Sequence, residues 1–221
     1  WTQEEIGQCV GVTQQQASND TKNSHLGKIC ETLGPHWNEK GIAELANRLN
    51  LSLTDAYAAA LDGMDDTERL SRLDIKLQPY DVWRFPSCHD LMGDKHPGRI
   101  PGQLIAHVLY FFTQPGDLVI DPMAGSGTTP DACLLMGRKC YAFDIDDRHG
   151  RVDIIPHNIA TDGWHERVKK ADLIFWDPPY FEKMDSTNIG QDGYIEGSIS
   201  KLGRDGYLAF FEERLTELRE M

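Results

Sequence analysis

The tetrapeptide Asp177-Pro178-Pro179-Tyr180 follows the apolar run ADLIFW and combines residue types that could bind a small planar group. Two adjacent prolines fix two φ angles and remove two backbone donors, so neither a strand nor a helix continues through them. One interpretation is therefore a simple turn at the end of a strand. The other is a rigid platform that holds a carboxylate, a backbone carbonyl and an aromatic ring around one planar ligand.

The glycine-rich segment DPMAGSGTT, residues 121–129, is a second candidate site, because it lies between a predicted strand and a predicted helix. Gly125 and Gly127 let the backbone approach a ligand closely, and the helix N-terminus favours a negatively charged group. The segment lacks the lysine of a nucleoside triphosphate loop and the third glycine of a dinucleotide loop. Asp144 ends the next strand, about twenty residues further on, where an acid accepts hydrogen bonds from ribose hydroxyls. We therefore expect a site for a nucleoside with a small charged tail, and a tight turn is the alternative.

The composition is that of a soluble globular protein. Of 221 residues, 40% are hydrophobic and 26% are charged, and no apolar run approaches the roughly 20 residues that span a bilayer. The five cysteines include no C-x-x-C pair, which favours free thiols in a reducing cytoplasm and no metal site. The net charge of −13 argues against binding nucleic acid through a broadly basic surface, although a few positioned cations suffice locally.

The first twenty residues predict a helix-turn-helix. Thr2 begins one capping box and Thr13 a second, and Gly11 between them permits a sharp turn. This stretch is similar to the helix-turn-helix of many bacterial regulators and ParB-like proteins, and a helical hairpin with a polar face is the alternative. Side chains able to contact base edges in double-stranded DNA follow on the second helix: Gln14, Gln15, Gln16, Ser18 and Asn19.

The elements after residue 38 predict two parts. Apolar spacing at Ile42 and Ala46 and a capping sequence at Ser52 indicate further short helices up to residue 77. An irregular, proline-rich connection (residues 78–103) precedes a helix and then a strand–loop–helix–strand unit, which implies a parallel sheet. We therefore predict an all-α helix-turn-helix module over residues 1–77 and a Rossmann-like α/β domain over residues 78–221.

Four segments together resemble the S-adenosylmethionine-dependent amino-methyltransferases of DNA, which methylate adenine N6 or cytosine N4. DPMAGSGTT is similar to motif I of that family, the tetrapeptide at 177–180 to motif IV, and HPGRIPGQ at 96–103 to motif X. IIPHNI, at 154–159, is similar to the strand that borders the cofactor adenine. The family often has an acid where Asn158 stands. The resemblance covers roughly residues 80–215 and implies a class I methyltransferase fold and S-adenosyl-L-methionine as cofactor.

The resemblance also implies which residues form the site. The catalytic set is Asp177, Pro178, Pro179 and Tyr180. The cofactor set is His96, Arg99, Pro101, Asp121, Pro122, Met123, Ala124, Gly125, Ser126, Gly127, Thr128, Asp144, Ile145, Asn158 and Ile159.

Motif IV offers two hydrogen-bond acceptors to an amino group. An exocyclic amino group is a poor nucleophile because its lone pair is delocalised into the base. The Asp177 carboxylate and the Pro178 carbonyl can accept hydrogen bonds from its two N–H groups and bias the nitrogen towards sp³ character. The methyl group would then be transferred in line, driven by positioning and electrostatics. The base must leave the duplex to reach them, and Tyr180 offers a stacking face.

Asp177 in the first position favours adenine N6, because cytosine enzymes of the family more often carry serine there. The alternatives are a cytosine-N4 DNA methyltransferase, an RNA base methyltransferase and a DNA-binding regulator with a non-catalytic methyltransferase remnant. We expect a site-specific, cytoplasmic, nucleoid-associated enzyme of prokaryotic or phage origin, of the kind found in restriction-modification systems.

The last segment predicts a polar loop after Tyr180 and then an amphipathic helix, LAFFEERLTELREM. The family fold has further strands after such a helix, so we expect an incomplete sheet in this sequence. A homo-oligomer or a partner chain that completes the sheet is one expectation, and a shortened chain is another.

Overall fold

The computed structural model describes residues 39–96, 98–146, 149–180 and 197–221. The predicted DNA-contacting residues Gln14, Gln15, Gln16, Ser18 and Asn19 lie outside these ranges, as does most of the polar loop predicted after Tyr180.

Three short helices open the described chain: α1 (Glu39–Leu49), α2 (Leu53–Ala60) and α3 (Asp66–Arg72). The cap predicted at Ser52 is confirmed, because its side chain accepts a hydrogen bond from the Asp55 N–H at 3.0 Å. A reciprocal capping box starts α3. Asp65 accepts from the Glu68 N–H at 2.8 Å, and Glu68 accepts from the Asp65 N–H at 3.0 Å. Each cap pairs a backbone donor that the first helical turn would otherwise leave unpaired.

A parallel sheet with helices forms the rest, which confirms the predicted α/β character. Among the described residues the strands are β1 (Leu118–Asp121), β2 (Lys139–Asp144), β3 (Ile154–Pro156) and β4 (Leu173–Ile174), in the order β3-β2-β1-β4. Helix α4 (Gly102–Phe112) precedes β1, and α5 (Thr128–Leu135) joins β1 to β2. The chain runs outward from β1 to β3 and then returns to the other side of β1. The strand order therefore reverses between β1 and β4, and ligands bind at such a point in open α/β sheets.

The remaining elements lie around β3 and β4. A short helix α6 (Ile159–Asp162), two 3₁₀ turns (Glu166–Lys170 and Ile199–Lys201) and the long helix α7 (Gly203–Glu220) complete the described chain. The strand predicted in ADLIFW is present but short, although its ladder continues with the Phe175 N–H donating to the Ile120 carbonyl at 2.8 Å.

One hydrophobic core joins the three opening helices to α4 and α5, with Leu61, Leu70, Leu109, Val119 and Leu135 among its buried members. Two arginines reinforce that contact. Arg69 donates to the Leu135 carbonyl at 2.9 Å, and Arg138 forms an ion pair with Asp66 on α3. The described helices before residue 78 thus pack against the sheet domain, while a division of the chain at residue 77 stays a prediction. No helix in the described ranges combines the length and apolar character needed to cross a bilayer.

Candidate active site

Asp121 ends β1 at the reversal point of the sheet, and its side chain is almost wholly buried, with a residue exposure of 3%. The carboxylate accepts hydrogen bonds from the Met123 N–H, at 3.0 Å, and from the Thr129 side chain. Burial raises the pKa of Asp121 to about 7, the two hydrogen bonds oppose that shift, and the charges of Asp144 and Asp177 add to it. Three predicted site carboxylates therefore influence one another.

The glycine-rich loop lies over the end of β2. Gly125 donates its N–H to Asp144 Oδ2 at 2.7 Å, and Asp146 donates to Asp144 Oδ1 at 2.8 Å. Burial raises the pKa of Asp144, and these two N–H donors limit the rise. Gly125 has a φ of +52° and open space on its Cβ side, so a ligand can approach the backbone there.

Gly127 plays a different part from Gly125. It precedes α5 with a φ of +84° and packs against Arg151, whose guanidinium an added Cβ would overlap. Arg151 bridges Asp131, at 2.7 Å, and Asp153, at 2.6 Å. This ion pair network supports the loop, and none of its three residues lines the cleft.

The residues just before the segment similar to motif X are tied to the same loop. The Asp94 N–H donates to the Ser126 carbonyl at 2.9 Å, and the Gly93 N–H donates to Asp131 at 2.7 Å. Arg99 donates in turn to the Gly93 carbonyl at 2.6 Å, so its guanidinium holds the segment in place. Pro101 stands at the N-cap of α4 and does not line the cleft.

The turn at residues 177–180 lies after β4, against helix α7. The Tyr207 hydroxyl donates to the Pro179 carbonyl at 2.9 Å. Just before the turn, the Trp176 ring lies 5.2 Å from the Phe211 ring, centroid to centroid, and its indole N–H approaches Met123 Sδ at 3.4 Å. Burial raises the pKa of Asp177, and the Tyr180 side chain is 56% exposed.

These elements surround one cleft of about 200 Å³ at the carboxyl ends of the strands. It is lined by all four predicted catalytic residues, Asp177, Pro178, Pro179 and Tyr180. All but two of the predicted cofactor residues also line it: His96, Arg99, Asp121, Pro122, Met123, Ala124, Gly125, Ser126, Thr128, Asp144, Ile145, Asn158 and Ile159. The two predicted cofactor residues that do not line the cleft are Gly127, which packs against Arg151, and Pro101, the N-cap of α4.

Several lining residues were not among the individually predicted site residues: Gly98, Ile100, Thr129, Asp146, His149, His157, Gly197, Ser198 and Ile199. Four of them, Gly98, Ile100, Thr129 and His157, lie inside the segments that resemble the family motifs. The fold brings Gly197 close to Ile145 and Asn158: a Cβ added at Gly197 would lie 3.2 Å from Ile145 Cδ1 and 3.7 Å from Asn158 Nδ2. Nothing in the sequence links Gly197 to Ile145 or Asn158. His149 had a signal, since it follows the acidic end of β2 in DIDDRHG, and its ring lies 5.5 Å from that of His96.

Asn158 has a structural task as well as a place in the cleft. It is the N-cap of α6, and its side-chain oxygen accepts the Ala160 N–H at 3.0 Å. A cap needs only an acceptor, which asparagine and aspartate both supply. The departure from the acid of related sequences is therefore compatible with the same local backbone.

The sequence profile of the N6/N4 DNA methylase family matches residues 18–154, more than half of the chain. The chain belongs to this family. A DNA adenine methyltransferase of Escherichia coli K12, YhdJ, is 33% identical over 91 residues, which are 38% of this chain and 31% of that protein.

Two further relatives are type II methyltransferases. M2.MboI of Moraxella bovis is 35% identical over 77 residues, covering 34% of this chain and 28% of its own length. M.BglII of Bacillus subtilis is 33% identical over 92 residues, covering 41% of this chain and 25% of its own length. The chain thus matches less than a third of the length of each of these curated relatives. No solved structure matches it significantly.

Members of the family use S-adenosylmethionine, and the chemistry of the cleft fits this cofactor. The carboxylates of Asp121, Asp144 and Asp177 line one space, which attracts a sulfonium cation and would repel a pyrophosphate. Apolar side chains of Ile145, Ile159 and Ile199 line the same space and suit a planar base. No cluster of three or more His, Cys, Asp or Glu side chains in the described ranges could hold a metal ion.

The raised pKa of Asp121 predicts a pH-dependent stability that Asp121→Asn removes. Because the folded chain binds this proton more tightly than the unfolded chain, Asp121 weakens the fold as pH rises from its unfolded pKa towards about 7. Between pH 5 and pH 7 the wild type should lose roughly 2 kcal/mol of unfolding free energy relative to the variant. Urea unfolding at four pH values measures this, with the exposed Asp81→Asn as control. Parallel curves for wild type and Asp121→Asn would contradict it.

Proposed function

We propose that the chain forms the cofactor- and base-binding part of an S-adenosylmethionine-dependent methyltransferase that acts on adenine N6 in DNA. The observation that carries the proposal is the convergence of the Asp177–Tyr180 turn and the glycine-rich loop on one acidic cleft, at the point where the strand order reverses. The membership of the DNA methylase family supports it.

Within this proposal, the end of β2 and the loops around it hold the cofactor. S-adenosylmethionine supplies an electrophilic methyl group on its sulfonium sulfur. Asp144 retains acceptor capacity for ribose hydroxyls beyond the two backbone N–H groups it already accepts. Ile145, Ile159 and Ile199 would supply the apolar surface for the adenine ring, and the open backbone at Gly125 would allow the cofactor to approach closely.

The turn after β4 binds the target base. The Asp177 carboxylate and the Pro178 carbonyl each accept one N–H of the amino group, which directs the nitrogen lone pair towards the methyl donor. Tyr180 presents an exposed ring on which the base stacks. When the nitrogen gains a methyl group it must lose a proton. The raised pKa of Asp177 makes its carboxylate a stronger acceptor for that proton than an ordinary aspartate would be.

Adenine is the proposed base because motif IV begins with aspartate. The similarity to a protein named DNA adenine methyltransferase agrees with that choice. The base is flipped out of double-stranded DNA to enter the cleft. We also propose that Gln14, Gln15, Gln16, Ser18 and Asn19 contact the duplex, and that the protein works with a second copy or a partner chain on nucleoid DNA in the cytoplasm.

Nucleoside analysis tests the proposal. The full chain is incubated with S-adenosylmethionine and unmethylated plasmid and genomic DNA, and the digested nucleosides are identified by mass spectrometry. The expected product is N6-methyladenine. N4-methylcytosine would keep the reaction and overturn the base assignment. Methyl groups found only in a parallel RNA sample, or in neither nucleic acid, would overturn the DNA methyltransferase assignment.

A further inference from the structure

Helix α7 contacts the Asp177–Tyr180 turn at both ends. At the second proline of the turn, the Tyr207 hydroxyl donates to the Pro179 carbonyl at 2.9 Å. Before the turn, Trp176 packs against Phe210 and Phe211, with ring centroids 5.8 Å and 5.2 Å away. The Tyr207 ring also packs against Phe211, at 5.0 Å. The helix therefore holds the residues on either side of Asp177 and Pro178.

The hydrogen bond acts on a torsion that the prolines leave free. The two pyrrolidine rings fix φ of Pro178 and Pro179, so the soft torsions of the turn are the two ψ angles. The ψ angle of Pro179 sets both the direction of its carbonyl and the position of the next residue, Tyr180. A donor that holds the Pro179 carbonyl therefore also holds the backbone from which the Tyr180 ring projects.

The environment keeps Tyr207 a donor. Burial raises the pKa of its phenol, and the negative charge of Asp177 adds to that rise, so the hydroxyl remains protonated at neutral pH. The Pro179 carbonyl oxygen carries no hydrogen and can therefore only accept a hydrogen bond. The direction of this hydrogen bond is thus fixed by chemistry as well as by geometry.

We propose that Tyr207 is a positioning residue for methyl transfer, which sets the orientation of Tyr180 by anchoring the Pro179 carbonyl. This inference rests on the proposed function of the cleft. Tyr207 acts through Tyr180 and the turn, and it forms no part of the cofactor site.

The test compares Tyr207→Phe, Tyr180→Ala, the double variant and wild type, with the exposed Tyr80→Phe as a matched loss of one hydroxyl. DNA methylation is measured at 25 °C per folded molecule, with the folded fraction taken from circular dichroism. S-adenosylmethionine affinity is measured by calorimetry and stability by thermal unfolding. Tyr207→Phe should lower kcat about three- to tenfold, the range expected for one hydrogen bond, and leave cofactor affinity unchanged. In the Tyr180→Ala background, Tyr207→Phe should change kcat less than about twofold, because the Tyr180 ring that Tyr207 positions is already absent.

Each other outcome has a definite meaning. If wild type binds S-adenosylmethionine and methylates nothing, the proposed function fails and the positioning role fails with it. If wild type is active and Tyr207→Phe matches it, only the positioning role is overturned. A Tyr207→Phe variant that loses stability but keeps the wild-type kcat per folded molecule shows a structural role. Equal losses in the Tyr180 and Tyr180→Ala backgrounds show that Tyr207 acts by another route than Tyr180.

Discussion

Asp177→Ala should lower the rate of DNA methylation by roughly 10³-fold while S-adenosylmethionine still binds. The substitution removes the carboxylate that accepts one amino N–H and takes up the proton released on transfer, so both positioning and proton removal are lost. The cofactor still binds because most of the residues proposed to hold it follow β1, β2 and β3, although losing one of the three cleft carboxylates weakens the attraction for the sulfonium. Tritiated methyl transfer into DNA measures the rate, and isothermal titration measures cofactor affinity.

Asp177→Asn separates the two parts of that loss. Asparagine keeps an acceptor oxygen but cannot take up a proton, and its own N–H₂ group competes with the amino group of the base. We expect the isosteric variant to remain within about tenfold of Asp177→Ala, because one correct contact does not replace the base function. Asp81→Ala, at an exposed position outside the cleft, is the control. Methylation by Asp177→Ala at the wild-type rate would show that the Asp177 carboxylate has no role in the reaction.

The convergence of the site was predictable because parallel strands place their carboxyl ends at one edge of a sheet. Asp121 and Asp144 end β1 and β2, and Asp177 follows β4, so the strand pattern alone brings three acids together. Local capping was predictable for a similar reason, since Ser52 acts only on a donor three residues away.

Contacts between distant segments were not predictable from the same patterns. Gly127 was expected to face the ligand, yet it packs against Arg151, which reaches it from beyond β2. Gly197 and Ile199 enter the cleft because α7 and its preceding turn pack beside β4. Tyr207 meets Pro179 across 28 positions of sequence. Such pairs depend on how the elements pack, and no periodicity within one segment encodes that packing.

Arg138 is the clearest case of a role that the sequence concealed. In MGRKC it reads as a cation in the turn before β2, where a solvent-exposed side chain is the ordinary expectation. Its side chain is instead fully buried. Beyond the ion pair with Asp66, it donates to Thr113 Oγ1 at 2.9 Å and to the carbonyls of Leu109 and Thr113 at 3.2 Å and 2.9 Å. One guanidinium thus joins α3 to the end of α4 and the start of β2.

Arg138→Met should therefore lower the unfolding free energy by about 3–5 kcal/mol, a large part of the stability of an ordinary domain. Methionine fills much of the space but removes the donor from the Asp66 carboxylate, from the carbonyls of Met136 and Thr113 and from Thr113 Oγ1, while the Leu109 carbonyl keeps its hydrogen bonds from Thr113. Urea unfolding measures the loss. Lys139→Met, which removes the adjacent and exposed cation, should cost less than about 1 kcal/mol.

Adding Asp66→Leu to Arg138→Met should recover part of that loss, because the uncompensated carboxylate disappears while the carbonyls of Met136 and Thr113 still lack the arginine donor. Arg138 lies at the amino end of β2, opposite the cleft, so the folded fraction of each variant should bind S-adenosylmethionine with wild-type affinity. A lost affinity in folded Arg138→Met would mean that α3 and the cleft are energetically coupled. An Arg138→Met variant as stable as Lys139→Met would mean that the interior charge contributes nothing to holding the opening helices on the sheet.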